Sequence, residues 1–379
     1  MKKTCLLLFS VLFSLAVQAQ NLNAMLSGDF AHFGLNSSNV PEKWEDGIRT
    51  TGGKGTYEWW YFDAHLADSS TAVIVFYTKP FTAINKQLTP LVTIEITRPD
   101  GSKISKTHYG GVDEFSASKD SCNITIGSNY FRGNLKEYQI HFQDEDLNLT
   151  ANIKRTTESW RPQTGQMYFT DTDYFAWVVP VPKGEVELEY THNNESVKLN
   201  GSCYHDHNWG NKNMAQLINH WYWSRAEIGP YSVIASEIIA EKEFNNNKIV
   251  VFNVSKDGKT LADDGSAVNV YYSYAPIDSK FHKDLSDNLL FVYDSPNDDY
   301  RYEYYLYREK TITAVDLLKA TVKSKFKRGL ARLLTGFDGA YFRMTGKAEL
   351  RVFHNDELVE TYSSPKAVWE LMYFGKAKE

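Results

Sequence analysis

Short runs of β-branched and aromatic residues recur along most of the chain, and clusters of turn-forming residues separate them. This pattern is typical of antiparallel sandwiches and barrels. No alternation of strand and helix patterns points to a parallel sheet. The sequence therefore predicts an all-β protein. The clearest strand candidates are Glu58–Asp63, Ala72–Tyr77, Leu91–Ile96, Leu147–Ile153 and Val186–Tyr190, and the turn candidates are Pro99–Gly101, Lys183–Gly184, Asn193–Asn194 and Asp257–Gly258.

The first residues have the pattern of a secretory signal peptide. Lys2 and Lys3 precede an apolar run, Leu6–Val17, and small residues follow at Val17–Ala19. The apolar run is shorter than the roughly 20 residues that a membrane-spanning helix needs. We therefore expect residues 1–19 to be cleaved and the mature protein to be exported, either to the periplasm or out of the cell.

The chain of 379 residues exceeds the usual size of one domain. After a polar lead-in over residues 20–43, we expect an N-terminal domain over 44–212 and a C-terminal domain over 213–379.

The formal net charge is −6, and this acidic balance argues against nucleic acid as a partner. Cys122 and Cys203 would either form a disulfide in an oxidising compartment or stay as buried thiols.

One segment, Thr313–Leu334, has a different period. Its apolar residues recur at helical spacing, its other face is basic, and Gly336 would end the helix. One interpretation is a helix that packs on a barrel and turns its basic face to solvent. The other is a helix that touches a membrane surface transiently while a lipid-like ligand is loaded.

The densest set of polar side chains lies in Gly201–Gly210. Alternate residues of an extended strand share a face, so Tyr204, Asp206 and Asn208 would point to one side. A carboxyl group inside an aromatic pocket has a raised pKa because burial disfavours its charged form. Asp206 would then stay protonated and act as a proton donor.

The opposite face of the same segment carries His205 and His207. Two imidazoles at this spacing could bind a metal ion, with His220 nearby in sequence, which would suit a metal-dependent hydrolase. The alternative is structural, because polar side chains in a barrel wall can satisfy one another and clamp two domains together.

Three aromatic runs offer further candidates for a binding site, namely Glu58–Asp63, Phe175–Pro180 and His220–Arg225. Most of these rings would serve as core. Dense aromatic rings also suit a pocket that surrounds an apolar ligand or a developing carbocation. The candidate ligand-binding residues are Trp59, Tyr61, Asn208, Trp221, Trp223 and Arg225.

The order and spacing of four motifs resemble the carotenoid 1,2-hydratase (hydroxyneurosporene synthase) and AttH-like family, and fungal Diels–Alderases of the same superfamily share them. The resemblance covers the chain from about Tyr57 to its end. It implies two lipocalin-like β-barrel domains packed together and a hydrophobic small-molecule partner. The motifs are Glu58–Asp63, Trp177–Pro182, Tyr204–Gly210 and Trp221–Arg225.

The family's known members act without an organic cofactor, and the resemblance implies the same here. Carried over by motif, Asp206, Tyr204 and Trp177 match the family's catalytic positions. The hydratases have a His two residues before that Trp, whereas this chain has Phe175, which bears against carotenoid hydration as the specific activity. Hydration, cyclisation and isomerisation stay open as reactions. Non-catalytic carriage of a hydrophobic ligand is the competing function.

Overall fold

The computed structural model describes residues 23–80, 83–321, 324, 328–329 and 337–375. Within this part of the chain, strands form two large antiparallel sheets, each curled into a half-barrel. This architecture confirms the predicted all-β, lipocalin-like class. The proposed signal peptide, residues 1–19, lies outside the described residues. No helix in the described ranges is long and apolar enough to cross a bilayer.

The first sheet is built from residues 25–210. Neighbouring strands in space follow the order β5-β4-β3-β2-β13-β12-β10-β9-β8-β7-β6, with β11 beside β12 and β1 beside β11. The strands are β1 Met25–Leu26, β2 Tyr57–Leu66, β3 Thr71–Tyr77, β4 Leu91–Thr97, β5 Lys103–Tyr109, β6 Phe115–Ala117, β7 Asn123–Ile126, β8 Asn129–Gly133, β9 Glu137–Gln143, β10 Leu147–Arg155, β11 Gln166–Tyr168, β12 Tyr174–His192 and β13 Glu195–Gly210.

The second sheet is built from residues 218–373, in the order β17-β16-β15-β14-β22-β21-β20-β19-β18. A short helix, α1 (Met214–Leu217), connects it to the first sheet. Its strands are β14 Ile218–Ile228, β15 Tyr231–Ala240, β16 Lys248–Lys256, β17 Lys259–Ala262, β18 Val268–Ser273, β19 Asn288–Asp294, β20 Tyr300–Asp316, β21 Ala340–His354 and β22 Glu357–Tyr373. The division into two domains near residue 212 stays a prediction.

All five strand candidates lie in strands, namely β2, β3, β4, β10 and β12. Three of the four turn candidates are turns. Lys183–Gly184 is the exception, because it lies inside β12 at a shift of register against β13. The sequence alone cannot separate a glycine in a bulge from a glycine in a turn, since both interrupt regular pairing.

The predicted helix over Thr313–Leu334 was placed too early. Residues up to Asp316 belong to β20, and α2 begins at Leu317 and runs to Thr321. Apolar residues at Val315 and Leu318 fit a strand end and a helix start as well as they fit one helix. Most of the remaining segment lies outside the described residues, so its contact with a membrane stays a proposal.

Each half-barrel has its own apolar interior, which is filled by every second side chain of its strands. In β2, for example, Trp60 and Phe62 are buried inside the first half-barrel. In the second, Tyr222, Phe252 and Trp369 belong to the corresponding core. Cys122 and Cys203 are buried free thiols rather than a disulfide. The strand faces that turn away from these two interiors are therefore available to contact each other.

A buried ion pair joins the two sheets. Arg225 on β14 binds Asp63 on β2, and the two side chains are 8% and 6% exposed. Burial alone would raise the pKa of Asp63, but the charge and hydrogen bonds of Arg225 outweigh it and hold that pKa below its usual value. The pair fixes one point of contact between the sheets.

We predict that Arg225→Met lowers the free energy of unfolding by about 3–5 kcal/mol, because Asp63 would be left as an unpaired buried charge. Urea unfolding at neutral pH measures the change. The matched control is Lys103→Met, which breaks the exposed pair with Glu95 and should cost about 1 kcal/mol or less. Equal effects of the two variants would contradict the view that the Arg225–Asp63 pair holds the sheets together.

Candidate active site

The outer faces of the two half-barrels meet in a layer of aromatic and aliphatic side chains. This layer is a hydrophobic cluster separate from the two interior cores. From the first sheet it includes Trp177 and Tyr204, and from the second sheet Ile234 and Ile238. The side chains on these outer faces are thus removed from water by the opposite sheet.

A cavity interrupts this layer between the sheets, with about 580 Å³ of space free of protein atoms, including its opening to solvent. It lies between the half-barrels, because its walls come from the outer faces of both sheets. The lining residues are Trp59, Tyr61, Phe175, Trp177, Asp206, Asn208, Trp221, Trp223, Ser236, Ile238 and Glu370. A wall this rich in aromatic rings suits a hydrophobic ligand.

Most of the residues singled out in the sequence lie at this cavity. Five of the six candidate ligand-binding residues line it, as do Asp206 and Trp177. Tyr204 is fully buried directly behind Asp206, to which its hydroxyl donates a hydrogen bond. Arg225 is not among the lining residues, because its guanidinium is engaged with Asp63.

Asp206 is held by three neutral donors. Its Oδ2 accepts hydrogen bonds from Tyr204 Oη at 2.8 Å and from Trp177 Nε1 at 3.1 Å, and its Oδ1 accepts from Asn208 Nδ2 at 2.7 Å. Tyr204 and Asn208 lie two residues away on β13, so the strand's alternation itself places them beside the carboxyl group. Trp177 comes from the adjacent strand β12, where it is the pairing partner of Asn208.

Burial raises the pKa of Asp206 to about 7, and the hydrogen bonds from Tyr204 and Asn208 offset only part of that effect. The side chain is 7% exposed and borders the cavity. Asp206 can therefore carry a proton near neutral pH and present it to a bound molecule. This combination of geometry and pKa is what a general acid requires.

The other face of β13 turns into the first half-barrel, and there His205 and His207 take part in a polar network. His205 Nδ1 lies 2.8 Å from the carbonyl oxygen of Tyr61, and its Nε2 lies 3.3 Å from Asp46. His207 lies 3.2 Å from the carbonyl oxygen of Glu45 and 2.8 Å from Glu58. Each ring nitrogen thus has a protein partner. This agrees with the interpretation that the two histidines have a structural role, in which polar side chains of the barrel wall satisfy one another.

His205 belongs to the group of potential metal ligands that the described residues bring together. That group is Asp46, Cys122 and His205, all buried, and His207 is not part of it. His220 lies in the second sheet, where it stacks on Tyr373. The three histidines that the sequence suggested for a metal hydrolase are therefore not assembled at the cavity.

Sequence reasoning did not list four of the lining residues: Phe175, Ser236, Ile238 and Glu370. Phe175, which departs from the family pattern, stacks with Trp59 in the cavity wall. Ser236 and Ile238 are two residues apart on β15, and Glu370 is the one acid in the apolar end of β22, Ala367–Tyr373. The alternation of side chains along each strand could have predicted which residues share a face. It could not have predicted that these faces contact the first sheet.

Comparison with known sequences supports the resemblance seen in the motifs. The sequence model of the Diels-Alderase-like family matches residues 16–270. A hydroxyneurosporene dehydrogenase of Chlorobaculum tepidum is 26% identical over 209 residues, which cover 45% of this chain and 53% of that protein. The quinolone epoxide rearrangement protein penF of Penicillium thymicola is 24% identical over 230 residues, 51% of this chain and 61% of penF. The chain therefore matches a little over half the length of these relatives.

Solved structures share the fold. An AttH-like protein from Nitrosomonas europaea has a TM-score of 0.56 at 10% identity, with 90% of this chain and 98% of that chain covered. CghA, solved with Sch210972 bound, has a TM-score of 0.58 at 12% identity, with 94% and 99% covered. These likenesses confirm the expected all-β, lipocalin-like fold.

We predict a pH-dependent stability difference between the native protein and Asp206→Asn. Protonated Asp206 is favoured in the folded state, so the native protein should lose stability as pH rises from about 4 to about 7, by up to about 4 kcal/mol. The Asp206→Asn variant has no titrating group at this position, so it should lack this part of the loss, while other buried acids such as Glu45 contribute equally in both proteins. Urea unfolding of both proteins between pH 4 and pH 8 measures the difference, and a constant difference across that range would contradict a raised pKa.

Proposed function

The chain belongs to the Diels-Alderase-like family, and we propose that it is an enzyme that transforms a hydrophobic, polyene- or isoprenoid-like molecule by acid catalysis. The reaction takes place in the cavity between the two sheets. One observation carries the proposal: a buried carboxyl group, Asp206, with a pKa of about 7 and set among aromatic rings, borders the cavity between the two sheets.

Hydration illustrates the chemistry that these residues support. The π electrons of an isolated C=C take the proton of Asp206, which leaves a carbocation on the neighbouring carbon. The aromatic faces of Trp177 and Trp223 stabilise this cation. A water molecule then forms the C–O bond and loses a proton, and Asp206 is reprotonated from solvent. Tyr204 and Asn208 hold the carboxyl group in one orientation throughout.

The same cavity supports rearrangement or cyclisation. There Asp206 would protonate an epoxide oxygen or donate a hydrogen bond to a carbonyl, while the aromatic walls hold the substrate folded near its reactive conformation. The name of one relative, a quinolone epoxide rearrangement protein, makes an epoxide a reasonable second probe. These steps use the side chains of this chain and water, so no organic cofactor is required. We also propose that the mature protein works after export, as its N-terminal pattern predicts.

The test is turnover in D₂O by the purified protein, with neurosporene and an aryl quinolone epoxide as separate probes and mass spectrometry as the readout. Protonation by Asp206 places one deuterium on carbon in a hydration product. We expect Asp206→Asn to lower the rate by roughly 10²–10⁴-fold, the usual contribution of a positioned general acid. The matched control is Asp294→Asn, at an exposed acid on β19, which should act like the native protein.

Recovery of both probes unchanged but tightly bound would support a carrier and contradict an enzyme acting on these two substrate classes. Turnover that Asp206→Asn leaves intact would exclude the general-acid role while keeping the enzyme. Extraction of the native protein from its host, with a comparison of metabolites between the wild type and a deletion strain, identifies the natural ligand in either case.

A further inference from the structure

The cavity has a second carboxyl group, Glu370, on the wall that faces the first sheet. Glu370 lies on β22, where its pairing partners are Trp223 on β14 and Arg343 on β21. It is intermediate in exposure because its side chain borders the cavity. The two carboxyl groups thus reach the same space from opposite sheets, Asp206 from the first and Glu370 from the second.

The surroundings of Glu370 differ from those of Asp206. Tyr341 Oη donates a hydrogen bond to Glu370 Oε1 at 2.5 Å, and the positive charge of Arg343 acts on the same carboxyl group. Burial is the largest influence and raises the pKa of Glu370 above its usual value, and Arg343 and Tyr341 offset part of that effect. Asp206 has three neutral hydrogen-bond donors. The charge of Arg343 favours the ionised form at Glu370, whereas only neutral donors bond to Asp206, so Glu370 is the better candidate of the two for a base.

We propose that Glu370 is the base and the anionic partner that faces the carbocation generated by Asp206. This inference rests on the proposed function. It narrows the substrates to hydrophobic molecules that form a carbocation, which then takes up water at the cationic carbon or loses a proton from the neighbouring carbon.

The proton balance of the two carboxyl groups is complete. The C=C of the substrate, or an epoxide oxygen, takes the proton of Asp206, and a carbocation forms. In hydration, water forms the new C–O bond while Glu370 accepts its proton. In isomerisation, Glu370 instead accepts a proton from the neighbouring carbon, whose C–H electrons form the new double bond. Each turnover leaves Asp206 ionised and Glu370 protonated, and transfer of one proton between them through water in the cavity restores both.

A purely structural role for Glu370 is the competing explanation. Glu370 would then serve to hold Tyr341 and Arg343 in place, and its loss would affect every ligand alike. A carboxylate that meets a cation in the cavity has a different effect, because its loss weakens the binding of cationic ligands selectively. A pair of hydrophobic probes of the same length separates the two roles without any need for the natural substrate.

The probes are N,N-dimethyldodecylamine, which is cationic at pH 7.5 and resembles the proposed carbocation, and dodecan-1-ol, which is neutral. Quenching of tryptophan fluorescence reports the binding of either probe. We expect Glu370→Gln to weaken binding of the amine by roughly tenfold or more and to leave that of the alcohol within about twofold. The matched control, Glu360→Gln, makes the same substitution on the same strand at the residue that pairs with Lys256, and should change neither affinity.

Equal affinities of native protein and Glu370→Gln for the amine would overturn the inference, and so would a parallel loss for both probes. If Glu370→Gln does not fold, Tyr341→Phe serves in its place. It removes a donor that favours the carboxylate, so the pH above which the amine binds tightly should move upward. An unchanged pH dependence in that variant would again contradict the inference.

Failure of the proposed function can be told apart from failure of this inference. If the native protein turns over neither probe substrate, the proposed function fails for those substrates, and amine binding still decides whether Glu370 meets a cation. If the native protein is active and Glu370→Gln matches it across the pH range, Glu370 is not the base, while Asp206 keeps its role. A base at Glu370 predicts that the variant loses the acidic limb of the rate profile.

Discussion

The contact between the outer faces of the two half-barrels is the constraint on which the site depends. Trp59, Tyr61 and Trp177 of the first sheet would face solvent if the second sheet were absent, and Asp206 would have an ordinary, solvated carboxyl group. The second sheet covers them, and the Asp63–Arg225 pair fixes one point of the contact. Both sheets are needed to exclude water from Asp206. Its raised pKa therefore depends on the packing of the two sheets against each other.

Alternate side chains of β13 point to opposite faces of the sheet, and the two faces have different surroundings. The even-numbered residues from Tyr204 to Asn208 face the second sheet, where Asp206 and Asn208 line the cavity, and the two histidines between them face the interior of the first half-barrel. The interior network connects β13 to the 3-10 helix Lys43–Asp46 and to β2 through hydrogen bonds. In the proposed function, these hydrogen bonds would hold Asp206 in one place relative to the substrate.

Local patterns predicted much of this structure, because alternation and turn chemistry are properties of neighbouring residues. They identified the strand class and the two faces of β13, and the motif resemblance indicated two packed lipocalin-like units. Patterns failed where the answer depends on distant parts of the chain. Arg225 has the same spacing as Trp221 and Trp223, yet it pairs with Asp63. Glu370 became visible as a cavity residue only once β22 was placed beside β14. The end of β20 shows a second limit, since apolar residues at a strand-to-helix junction fit both periods.

The proposed ligand lies between the sheets, over Asp206, rather than inside either half-barrel. A crystal structure of the protein with bound retinol, a polyene of isoprenoid origin, tests this claim most directly. We predict that the polyene chain lies between Trp177 and Trp223, with one end near the carboxyl group of Asp206. Retinol in the interior of a half-barrel, or bound only at the outer surface, would contradict it.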